Sequence, residues 1–108
     1  MSFKALAAAL MLAAIAGGPA LAATPKTATV HISMFAFSPK PLVVAPGTTV
    51  TWVNDDEEAH SVVSDTRVFH SAAMDTKDHY SFTFTTAGDY PYHCGLHPNM
   101  VAKVTVKP

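Results

Sequence analysis

The chain contains a single cysteine, Cys94, so no disulfide can form within it. Charge of either sign is scarce: seven lysines and arginines against eight aspartates and glutamates leave a net charge of -1. That balance gives no sign of the basic surface on which nucleic-acid binding depends. Long apolar runs are missing too. The longest, Ala5 to Ala16, is about a dozen residues, against the roughly 20 needed to span a bilayer. No stretch carries the 3.6-residue apolar periodicity of a long amphipathic helix.

What is present at the start is informative. Lys4, the apolar run, the break at Gly17, Gly18 and Pro19, and a following small-x-small sequence make a secretory signal peptide. Cleavage is expected after Ala22 or Ala23. Residues 1–22 are then the signal, residues 23–108 form one small exported domain, and no membrane span remains after cleavage. A domain of that size needs help to stay folded. A lone thiol in an oxidising compartment is open to intermolecular pairing unless it is buried or occupied, and a bound metal ion does both.

From Lys26 onward the patterning has period two, with turn signals about every ten residues, as in an all-β sandwich or barrel. Val30, Ile32 and Met34 share one face of the first strand, which leaves His31 on the polar side. Pro46-Gly47 fits the centre of a type II turn. Val50, Trp52 and Asn54 alternate along a strand that ends at the acidic run Asp55 to Glu58. The stretch from Ala59 to Thr76 reads as a short strand at His60 to Val63, then a long polar connection with room for a helical turn. Tyr80, Phe82 and Phe84 resume the alternation. Tyr90, Tyr92 and Cys94 then share a face, as do Met100, Ala102, Val104 and Val106. Cys94 and Met100 therefore stand at the two ends of one loop, both continuing inward-facing rows.

That loop carries Cys94, His97 and Met100. A thiolate, imidazoles and a thioether together suit copper, because soft sulfur favours Cu(I), imidazole holds Cu(II), and His₂Cys with a long axial Met is the blue-copper arrangement. The second imidazole is best supplied by His60, where the chain leaves the Trp52 strand and can return to the same end of the sandwich. Cys94 as an inert core thiol is the plain alternative. An immunoglobulin sandwich is another, but it needs a second cysteine. His31, His79 and His93 read as ordinary surface histidines. His70 with Met74 and His79, or His31 with Met34, form candidate transient Cu(I) sites, although parity separates the last two. The acidic run reads as a solvated loop or a patch that biases partner choice.

"MFAFSPKPLVVAPGTTVTWVNDDEEAH" followed by "GDYPYHCGLHPNM" resembles the cupredoxins, with the short C-x-x-H-x-x-M loop of their amicyanin-like branch, over nearly all of residues 23–108. The resemblance implies a Greek-key β-sandwich holding one type 1 copper ion on His60, Cys94, His97 and Met100. It implies an outer-shell role for Asn54, tying the upstream loop to the cysteine loop. It implies a docking patch of Leu96, His97, Pro98 and Asn99 around an exposed imidazole edge, and one-electron transfer rather than enzymatic turnover. The expected partners are proteins: a donor such as a periplasmic dehydrogenase and an acceptor such as a c-type cytochrome or oxidase, met by a periplasmic monomer. Copper carriage or storage, with Cu(I) handed to another protein, is the alternative function.

Overall fold

A computed structural model describes residues 26–108; the expected signal, residues 1–22, lies outside them. Among the described residues eight strands are formed: β1 (Lys26–Ser33), β2 (Ala36–Ser38), β3 (Leu42–Val44), β4 (Thr48–Asn54), β5 (Val63–Ser64), β6 (His79–Phe84), β7 (Gly88–His93) and β8 (Val101–Val106). They make two four-stranded sheets, ordered β2-β1-β4-β6 and β3-β8-β7-β5. The pairs β1/β4 and β3/β8 are parallel and the rest antiparallel. No helix occurs among the described residues.

The period-two pattern places the core where it should be. Val30, Ile32, Val50, Trp52, Phe84, Tyr92, Cys94, Val104 and Val106 all point inward and are buried between the sheets. Trp52 is the hub, with the rings of Phe69, Tyr80, Phe84 and Tyr92 centred 5.5–6.4 Å from its own. The turn before β4 is closed by the Thr48 N–H on the Ala45 carbonyl, with Gly47 at φ 91°, the left-handed position that a type II turn reserves for glycine.

Two expectations fail here. Met34 does not continue the inward row of Val30 and Ile32; it is 86% exposed. β1 ends at Ser33, and Met34 and Phe35 form a two-residue hairpin into β2 with φ of 54° and 59°. Such a turn usually calls for Asn-Gly or similar, and two ordinary residues in that region cost roughly 1–2 kcal/mol each. An external anchor offsets the cost: the Asp56 carboxylate accepts both N–H groups, at 2.7 and 2.9 Å.

The connection from Ala59 to Thr76 is the second difference. It contains no helical turn, and His60 forms an isolated bridge rather than opening a strand. The segment doubles back on itself, with His60 bridged to Met74 and Val63 to His70. Phe69 and Met74 drive this, both buried, with Phe69 stacked 5.6 Å from Trp52.

Candidate metal centre

The two loops expected to meet do meet. The segment leaving β4 carries His60, which is wholly buried, and the loop between β7 and β8 carries Cys94, also wholly buried. That second loop is short because it closes on itself: the Cys94 N–H donates to the Met100 carbonyl at 3.0 Å, and the Met100 N–H to the His97 carbonyl at 2.9 Å. Met100 is thereby held at the site's edge, 8% exposed.

Cys94 Sγ lies 3.7 Å from His60 Nδ1 and 3.6 Å from His97 Nδ1. All three donor atoms fall within 4.8 Å of one another, and no other group of three such residues converges as closely among those described. Metal bonds of about 2.0 Å to nitrogen and 2.3 Å to sulfur place two donors on one ion about 3.6 Å apart. The spacing and the soft-plus-imidazole donor set, with Met100 alongside, fit a type 1 copper site.

Outer contacts fix these donors. The second ring nitrogen of His60, Nε2, is 2.8 Å from Asp56 Oδ2, so the carboxylate that anchors the Met34–Phe35 turn also orients a candidate ligand. Burial pushes the Asp56 carboxyl up, but the Phe35 and Met34 N–H groups and His60 outweigh it and hold it below the ordinary aspartate value. Its contribution to stability is thus complete above about pH 4 and lost as pH falls through that lowered value. The anchored turn sets the Phe35 ring edge-on to both imidazoles, 5.0 Å from each.

Asn54 departs from its expected role. Its amide donates to the carbonyls of Glu58 and Met74, both at 2.9 Å, and its oxygen accepts the Asp56 N–H, so it braces the His60 loop alone. Ser61 makes the tie between loops. Its N–H points at Cys94 Sγ at 3.4 Å, and its Oγ accepts the Gly95 N–H at 2.9 Å. Gly95 has no side chain to offer Asn54, and a Cβ there would lie 2.8 Å from Ser61 Oγ and 3.1 Å from Val63 Cγ2. Gly95→Ala should therefore cost about 1–3 kcal/mol in urea denaturation. In a Ser61→Ala background the cost should shrink by at least about 0.5 kcal/mol; strict additivity would mean the two loops are not packed through this pair.

His97 is half-buried, and around it Leu96, Pro98 and Asn99 are exposed as expected. A shallow depression of 470 Å³ is lined by these residues with Met100 and Phe35, the last unforeseen from sequence. The alternative Cu(I) clusters are not assembled: Met74 is buried, the depression it lines with His79 does not include His70, and His31 bonds Asp55 at 2.8 Å.

Comparisons with known proteins point the same way. Amicyanin of Paracoccus denitrificans is 40% identical over 83 residues, which are 72% of this chain and 63% of that protein, so the match spans less than two thirds of the curated relative. A solved Cu(I) form of an amicyanin variant superposes with a TM-score of 0.70 at 35% identity, covering 80% of this chain and 86% of its own. A purple cupredoxin from Nitrosopumilus maritimus gives a TM-score of 0.70 at 34% identity, covering 74% and 99%. The model of the cupredoxin-like domain matches residues 4–106. With the sandwich, the loop pair and the donor spacing already in place, this match assigns the chain to the cupredoxin-like family.

Proposed function

We propose that the chain is an exported one-electron carrier whose copper ion is held by His60, Cys94, His97 and Met100. One observation carries the reading: a thiol and two imidazoles stand at single-ion distances, with the thiol and one imidazole sealed from water. Bound copper supplies a Cu(II)/Cu(I) couple. The protein's part is to hold a fixed frame. His60 is locked by Asp56, Cys94 by Ser61, and the ligand loop by its own two backbone bonds, so little moves when the charge on the ion changes.

Electrons enter and leave through the edge of His97, within the patch of Phe35, Leu96, Pro98 and Asn99. The partners are protein donors and acceptors, a dehydrogenase and a c-type cytochrome or oxidase being the expected kinds, met by a monomer in the periplasm. Residues 1–22 act as the signal and residues 23–108 as the working domain. No helix among the described residues is long and apolar enough to cross a membrane. Carriage of Cu(I) fits less well, since handing over the ion calls for open ligands, and here His60 and Cys94 are wholly buried and Met100 nearly so. Four side chains on one ion also leave no open position for a substrate, which supports a non-enzymatic role.

Adding Cu(II) to the purified domain tests the reading. An intense visible thiolate-to-copper band with narrow copper hyperfine splitting is expected, together with rapid electron self-exchange. A pale, ordinary Cu(II) spectrum would overturn it.

A further inference from the structure

A second group of metal donors lies on the opposite, outward face of the strand end that delivers Cys94. His93 precedes Cys94, so by the period of the strand it points out where Cys94 points in. Across the ladder it is paired with Val63, and Val63 is bridged on its other side to His70. The three residues form one row, His70, Val63, His93, on a single sheet face. Flanking bonds from Ser64 N–H to Phe69 and from Ser71 N–H to Val62 make Val63 and His70 a non-hydrogen-bonded pair, the closer kind. The two histidine backbones are then about 10 Å apart.

Two residues beyond Val63 on the middle segment, and so on the same face, stands Asp65. Its N–H donates to the Pro91 carbonyl, which continues the ladder with β7, and it sits diagonally from His93 at about 7–8 Å between backbones. Its carboxylate is 2.6 Å from His93 Nδ1. A carboxylate on one imidazole nitrogen fixes the ring and leaves the other nitrogen as a free lone pair, the arrangement common to metal-bound histidines. A concavity of 570 Å³ opens over the group, lined by Val63, Ser64, Asp65, Phe69, His70 and His93, with Arg67 also on its wall. His70 is exposed and free to swing towards the other two.

We infer that His70 and His93, the latter oriented by Asp65, form a second, surface metal site that takes a borderline divalent cation, Zn(II) or Cu(II), on two imidazoles. The donor set lacks sulfur, which directs it away from Cu(I). A similar row on the other sheet, His31, Val53, His79, has its Asp55 carboxylate already shared between His31 and Lys77 Nζ at 3.1 Å. That row serves as the control.

Zn(II) titrated calorimetrically into the copper-loaded protein is the test, because Cu(II) outcompetes Zn(II) at the inner centre and leaves only other sites to report. One equivalent should bind. His70→Ala and His93→Ala should each weaken binding at least about tenfold, while His31→Ala should not. Arg67→Ala should leave binding equal or tighter, since it removes a positive charge from the wall. The same titration on Cys94→Ser gives the same result if the inner centre has been misread, so the two proposals fail separately. No uptake by the parent protein, or uptake unchanged in His70→Ala, would overturn the inference. Weakening in Arg67→Ala would do so too, by showing that the bound Zn(II) does not sit against that wall.

Discussion

Cys94→Ser should fold like the parent protein and lose the thiolate-to-copper band entirely. Serine is close in volume to cysteine, and the Ser61 N–H that points at the sulfur can donate to a hydroxyl in its place. The backbone bond from residue 94 to Met100 does not involve the side chain. Copper, however, loses its soft anionic donor and gains a hydroxyl that stays protonated. Losing an outer-shell partner of a metal ligand costs about 10–100-fold in affinity, and losing the ligand itself should exceed about 100-fold. Visible absorption, circular dichroism and chelator competition on the same sample separate the effects. An unchanged dichroism spectrum with no band is expected; a persisting band would place the chromophore elsewhere and remove the basis for the copper assignment.

Trp52→Ala should come close to unfolding the domain. The indole is wholly buried at the meeting of both sheets, and its truncation leaves a cavity walled by Phe69, Tyr80, Phe84 and Tyr92. Such a change costs about 3–5 kcal/mol, against a total stability of about 5–15 kcal/mol for native domains. At roughly 4–8 °C per kcal/mol for a domain of this size, the apoprotein midpoint should fall by more than about 12 °C. Trp52→Phe, which keeps a ring there, should lose much less. A fall below about 5 °C for Trp52→Ala would mean that the two sheets are held together elsewhere. The effect should also reach the centre, since Asn54, which braces the His60 loop, is two residues from Trp52 on the same strand.

The residues that alternate in sequence are the ones whose places could be read from it. Val30 and Ile32, Val50 and Trp52, and Tyr92 and Cys94 are assigned to the core by parity alone, and the structure buries them all. The convergence of His60 with Cys94 and His97 follows from the same reasoning carried to the strand ends. What escaped is held by single polar contacts that leave no periodic trace. The Met34–Phe35 turn has neither glycine nor asparagine, because its anchor, Asp56, lies more than 20 residues away in an acidic run that looks like any solvated loop. The same anonymity hid the carboxylate on His60. The doubling back from Ala59 to Thr76 rests on two apolar side chains five residues apart, Phe69 and Met74, too few to set a period. Ser61 took over the loop-to-loop tie only because residue 95 is glycine, a dependence between two positions that neither one signals alone.

The parallel pairings have a consequence in time as well as in space. β1 can join β4, and β3 can join β8, only after long stretches of chain have been gathered in, and pairings of that kind make folding slow because loop entropy is spent before contacts reward it. β8 directly follows the ligand loop and β3 lies early in the chain, so the sheet presenting Cys94 is complete only once the whole domain has been made. During that interval the thiol is exposed, and oxidation competes with burial. The rate of that docking sets how long the chain's one cysteine remains vulnerable.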